Sequence, residues 1–179
     1  MKQHFAAGLI AGALLALLAG CAGPRASAPA VPESLRVSAS QVLFVRAQGA
    51  GVQIYVCQSS SEEPAHFAWI LKAPEAQLTD RAGKPIIRHF AGPTWQATDG
   101  SAVVGEVVAR DNGPDPDAIA WLLLRAKSTS GSGLLSRTLS IQRLLTVGGK
   151  APAAGCSAAQ AGSEARVNYS ADYLFYKAR

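Results

Sequence analysis

The segment VNYSADYLFYK, residues 167–177, sets Val167, Tyr169, Ala171, Tyr173 and Phe175 on one face. Side chains of an extended chain alternate with a period of two, so this spacing predicts a closing β-strand with an aromatic face. Upstream, QVLFVR (41–46) and VQIYVCQ (52–58) are rich in β-branched and aromatic residues and flank Ala47-Gln48-Gly49-Ala50-Gly51, which reads as a hairpin. In the second run Val52, Ile54 and Val56 face one way and Gln53, Tyr55 and Cys57 the other. After a polar loop at 59–64, residues 66–73 and 75–79 are strand-like, and Asp80 to Lys84 forms a turn before a further strand at 85–90. Residues 94–97 and 103–109 flank Asp99-Gly100, a pair that favours the positive φ angles of tight hairpins.

A proline-broken acidic loop, Asp111 to Asp117, leads into Ile119 to Lys127, which reads as a buried strand. Residues 134–147 (LLSRTLSIQRLLTV) carry two patterns: leucines three to four apart suit a helix, while Leu139, Ile141, Arg143 and Leu145 alternate. Strand is favoured on context. About nine short strands joined by Gly, Pro and Asp turns predict an all-β fold, an antiparallel sandwich or barrel, over residues 33–179. No βαβ spacing and no internal repeat appears in the sequence.

The N-terminus predicts export. Phe5 to Gly20 is uncharged and apolar behind Lys2 and His4, which suits a signal peptide over residues 1–20. As a membrane anchor the stretch is short for a bilayer core, and Gly8, Gly12 and Gly20 weaken a helix. The quartet Leu18-Ala19-Gly20-Cys21 resembles the lipobox of bacterial lipoproteins, which implies cleavage before Cys21 and lipid on its sulfur. Buried acyl methylenes contribute about 0.8 kcal/mol each, so two or three chains anchor a protein essentially permanently. In Gram-negative lipoproteins an aspartate after that cysteine favours inner-membrane retention. Ala22 stands there, so the outer membrane facing the periplasm is expected. The stretch AGPRASAPAVP that follows predicts a tether over residues 21–32, reaching up to roughly 35 Å.

With Cys21 assigned to lipid, Cys57 and Cys156 remain, and in an oxidising compartment a lone pair is most simply a disulfide. The alternatives are a metal site with His66 or His89, or a reactive thiol, although the spacing matches no zinc pattern. Hydrophobic residues make up 49% and charged residues 16%, which excludes a disordered chain. The net charge of +5 comes from scattered Lys and Arg, so nucleic acid is not an expected partner.

Six segments, Ala73-Pro74-Glu75-Ala76, Gly92-Pro93-Thr94-Trp95, Asp99-Gly100-Ser101, Trp121-Leu122-Leu123, Ile141-Gln142-Arg143-Leu144 and Thr146 to Pro152, precede Cys156. Together they resemble domain-of-unknown-function family 3455, a group of secreted bacterial and fungal proteins, over roughly residues 31–177. The resemblance implies the fold and export and carries no activity.

No GxSxG elbow, Walker loop, HExxH helix or zinc quartet occurs, and no metal or cofactor is expected. Catalytic residues are therefore unassigned. His66 and His89 are the histidines of the mature chain, and either suits a general base beside Glu75, Asp99 or Glu106. The plainer expectation is that each decorates a strand. The Asp111–Asp117 loop has oxygens at alternate positions, as calcium loops do, but two prolines and the missing bidentate glutamate favour a solvated loop. Trp69, Trp95 and Trp121 are candidates for a sugar-stacking platform with Asp99 and Gln96 as hydroxyl partners, and at least two of them are expected in the core. Trp95, flanked by polar and turn residues, is expected nearest the surface. The candidate ligand-binding set is thus His89, Trp95 and Asp99. The leading expectation is a non-enzymatic envelope lipoprotein that reaches the membrane through Cys21 and binds a ligand, a glycan or another envelope protein. The alternative is a secreted hydrolase using His89 with Asp99 or Glu106.

Overall fold

The computed structural model describes residues 29–59, 63 and 65–179. The signal peptide, Cys21 and the tether as far as residue 28 lie outside the described residues. Eight antiparallel strands close into one barrel: β1 (Gln41–Ser59), β2 (Phe67–Thr79), β3 (Pro85–Phe90), β4 (Thr94–Ala97), β5 (Ala102–Asp111), β6 (Trp121–Ser130), β7 (Ser140–Gly148) and β8 (Glu164–Ala178). Each strand pairs with its neighbours in sequence, and β1 also pairs with β8 to close the ring. Of the two all-β architectures expected, the barrel is the one formed. Closure matters because it removes the unpaired edges that an open sheet exposes.

The hairpin expected at residues 47–51 does not form, because β1 runs straight through it, paired to β2 on one side and β8 on the other. The glycines serve close approach instead of a turn. A Cβ on Gly49 would lie 2.6 Å from the Tyr173 ring, and one on Gly51 would lie 2.1 Å from the Glu75 carbonyl oxygen. The segments 66–73 and 75–79 likewise merge into β2. Pro74 is tolerated within it because β3 begins to pair only at Ala76, so the side of β2 facing β3 has no ladder at Pro74. These two mergers bring the strand count below the expected nine. Of the ambiguous stretch 134–147, only the part from Ser140 is strand. Residues 134–139 are turn and loop.

The interior holds the alternating face of β8 as expected, with Tyr169, Ala171, Tyr173 and Phe175 buried against Leu78, Ile87, Trp95, Val103, Leu124 and Ile141. A second apolar cluster lies on the other face of the sheet. There Leu35, in a short 3-10 turn at Glu33–Leu35, covers Trp121, Leu144, Leu174 and Tyr176, and Val31 packs beside it. Gln142 Nε2 donates to the Leu35 carbonyl at 2.6 Å, and its Oε1 accepts from the Tyr176 hydroxyl at 2.6 Å. Val31, within the stretch expected to be tether, thus packs on the barrel.

Strand order places the connections 80–84, 98–101 and 131–139 at one end of the barrel, and 91–93, 112–120 and 149–163 at the other. The first end is plugged. Leu135, 0% exposed, joins the interior core, and its N–H donates to the Ser101 hydroxyl at 3.0 Å.

Candidate functional site

The second end is open, and two adjoining cavities of about 560 and 260 Å³ enter the barrel from it. Gln53, Leu71, Arg110 and Arg143 line both. The outer cavity is bordered by the 112–120 loop and Lys150, whereas the inner one reaches Leu122, Leu124, Tyr173, His89 and Trp95. Among the described residues, no aspartate or glutamate lines either cavity.

Arg143 occupies an inward position of β7, between the Tyr169 and Tyr173 hydroxyls and the backbone of the 119–120 segment. Its Nε and Nη2 both donate to the Ala120 carbonyl, at 3.2 and 2.8 Å. Among the described residues no carboxylate pairs with it, nor with Arg110, whose charge lies close enough to disfavour the Arg143 cation. Burial pulls the Arg143 pKa down, yet a guanidinium starts so high that it stays charged. The Tyr173 phenol, wholly enclosed, is pushed well above its ordinary value by burial and by Tyr169, so it stays protonated. The Tyr169 and Tyr173 hydroxyls lie 3.0 Å apart. Two further donors in these walls have no partner: Gln53 Nε2, on a residue 1% exposed, and Trp95 Nε1. A buried polar group without a partner costs about 1 to 3 kcal/mol, so two of them at one end of a barrel, beside a guanidinium that no carboxylate pairs, call for a functional explanation.

Trp95 is 1% exposed, the reverse of the surface position expected for it. Its neighbours Thr94 and Gln96 are polar because β4 alternates, with Trp95 and Ala97 inward. The Trp95 ring lies over Gly105, where a Cβ would come within 2.9 Å of it. His89 stacks on Trp95 with centroids 4.3 Å apart and planes 4° from parallel, and its Nδ1–H donates to the Thr94 carbonyl at 2.9 Å. Burial, helped by the Arg143 charge and opposed by the Thr94 hydrogen bond, lowers the His89 pKa to about 4. The imidazole is therefore neutral at physiological pH.

His89 and Trp95 are brought together in the inner cavity, but Asp99 is not with them. It sits at the plugged end, where Oδ1 accepts from the Ser101 N–H and hydroxyl and Oδ2 from the Leu134 N–H at 2.7 Å. Those hydrogen bonds, led by that of the Ser101 hydroxyl, hold its pKa below the ordinary value. Glu106 pairs with Arg125, and Glu75 with Arg166. His66 is exposed at the open end. The carboxylates considered as partners for His89 are thus engaged elsewhere.

The three tryptophans do not form one platform. Trp69 donates its indole N–H to the Gly155 carbonyl at 2.7 Å, Trp121 belongs to the outer cluster, and Gln96 accepts from Arg88. Asp111 and Asp115 accept the N–H groups of Gly113 and Asp117, closing their own turns. Among the described residues, no three His, Cys, Asp or Glu side chains gather as a metal site.

Cys57 and Cys156 are joined as a disulfide, which ties the 149–163 loop of the open end to β1. Backbone bonds from Cys57 N–H to the Ser163 carbonyl and from Gly162 N–H to the Cys57 carbonyl reinforce that tie. The model of a family described as Protein of unknown function (DUF3455) matches residues 38–177, which takes in all eight strands nearly to the end of β8. The chain belongs to this family. No curated protein and no solved structure matches it. In this DUF3455 barrel, Arg143 and Gln53 had no part in the expectations for the site. The signal was nonetheless present, since each is the polar member of a row of otherwise apolar or aromatic inward positions.

Proposed function

We propose that this protein is a non-enzymatic ligand-binding barrel of the bacterial cell envelope, held by lipid on Cys21 at the outer membrane and facing the periplasm. The observation that carries the binding reading is the open end: a cavity reaching into the barrel, walled by Arg143 and Arg110, which no carboxylate pairs among the described residues, and by the Gln53 and Trp95 N–H donors. An eight-stranded barrel has an interior just wide enough to be filled by side chains or to hold one small ligand. Here the plugged half takes the first option and the open half leaves room for the second. The lipobox, the Pro/Ala stretch after it and the disulfide support export and anchorage. A hydrolase using His89 has little support, because that imidazole is neutral, enclosed by Trp95 and Tyr173, and remote in bonding from Asp99 and Glu106.

Native mass spectrometry of the full chain extracted from the envelope in mild detergent tests the reading. A discrete non-covalent small-molecule adduct, lost on unfolding, is expected. A chain that carries no adduct and shows no thermal shift with envelope lipid or metabolite extracts contradicts it. Metabolic labelling with palmitate checks the anchor, with label expected on the wild type and none on Cys21→Ser.

A further inference from the structure

Resting on that binding reading, we propose that the ligand is an amphipathic monocarboxylate, its acid group held at Arg143, Arg110 and Gln53 and its apolar body lying in the inner cavity. Polarity of the walls assigns the head. The residues shared by both cavities offer N–H donors and positive charge, with no carboxylate to compete. Arg143 spends Nε and one Nη2 hydrogen on Ala120 and meets the Tyr173 hydroxyl, which leaves it without an anion, and Gln53 Nε2 is enclosed beside the Tyr169 hydroxyl without a well-formed hydrogen bond. A guanidinium fork and a side-chain amide match the two oxygens of a carboxylate. A neutral hydroxyl uses only part of that donor set.

The body follows from the inner cavity, whose lining beyond the donors is mostly apolar, with Leu122, Leu124, Val107, Pro93 and the Trp95–His89 stack, and whose Lys72 is paired with Glu164. His89 being neutral, that stack is an uncharged apolar wall. Its volume of about 260 Å³ suits a short acyl chain or a single ring system more than a sugar polymer. Bulk inorganic anions would satisfy the arginines and leave the apolar half unfilled.

The test is isothermal titration of the mature full chain, carrying Cys21→Ala so that it stays in solution without detergent. The probes are octanoate, 1-octanol and inorganic phosphate. Octanoate is expected to bind at least tenfold more tightly than 1-octanol and to resist competition by phosphate. Arg143→Gln is expected to weaken octanoate at least tenfold and to leave 1-octanol within about twofold, with an unchanged melting temperature as the folding control. Should that variant unfold, Arg110→Gln on the exposed rim carries the same comparison. Equal binding of acid and alcohol, phosphate competing as well as octanoate, or an arginine variant that keeps full octanoate affinity each overturns the carboxylate assignment. Failure of octanoate to bind overturns it too. In all four cases the binding reading stands or falls separately, on the adduct carried by envelope-extracted protein.

Discussion

The two ends of this barrel fill their interiors in different ways. At the plugged end the Asp99 carboxylate accepts three hydrogen bonds, Ser101 bridges it to Leu135, and Leu135 fills the interior, while the buried Thr138 hydroxyl and Gln41 Oε1 there have no partner. At the open end a guanidinium has no carboxylate, an enclosed amide and an indole N–H have no acceptor, and cavities remain. A filled interior stabilises and an empty one does not, so the contrast separates the end packed for stability from the end proposed to hold a ligand.

The largest effect is expected where the open end is held in shape. Replacing Cys57 and Cys156 by alanine releases the 149–163 loop and is expected to lower stability by about 4 to 5 kcal/mol in the chain-entropy account, read by denaturant unfolding. Ligand affinity should fall with it, because Lys150 in that segment borders the outer cavity. Next, Leu135→Ala at the plug is expected to lose about 3 to 4 kcal/mol by the same measurement while leaving ligand affinity unchanged. If affinity fell in step with stability there, the division between the ends would be broken.

Acid provides the third test. The unfolded imidazole of His89 binds its proton near pH 6.5 and the folded one only near pH 4. Between those values the unfolded chain holds more protons, so stability falls as pH drops from about 6.5 to 4, by about 3 kcal/mol in all. Arg143 and Tyr173, which face the ring, keep their own protonation states through this window. His89→Phe, which keeps the stack on Trp95, should flatten the melting profile there. The smallest effect separates the ends most sharply: Arg143→Met is expected to change stability by under about 1 kcal/mol in either direction while removing ligand binding, since the hydrogen bonds lost to Ala120 are offset by removing a buried charge that no carboxylate pairs.

Much of the barrel was legible in the sequence because it rests on local rules. The alternation of Val167 to Phe175, the Asp99-Gly100 turn, and the pairing of Cys57 with Cys156 all follow from neighbours or from counting. What failed was set by distant partners. Gly49 and Gly51 carry the same local signal whether a chain turns or another strand presses close, and only Tyr173 and Ala76, far along the chain, decide between them. Trp95 looked exposed because β4 is four residues long, too short for its period of two to show. Asp99 looked like a partner for His89 because the two hairpins adjoin, whereas its carboxylate is taken up by Ser101 and the backbone at Leu134. Gln53 and Arg143, the residues proposed to bind, were visible as polar members of inward-facing rows, and that mismatch is the sequence signal worth following in such barrels.

The most direct test of the open end as the ligand site is a titration of isotopically labelled full-length mature chain with octanoate, following N–H resonances by NMR. Saturable shifts of the Trp95 indole N–H, the Gln53 side-chain amide and the Arg143 Nε–H, with the amides of Ser101, Leu134 and Leu135 unmoved, are the predicted result. Shifts confined to the plugged end, or none at the Gln53 and Trp95 donors under saturating ligand, would contradict it.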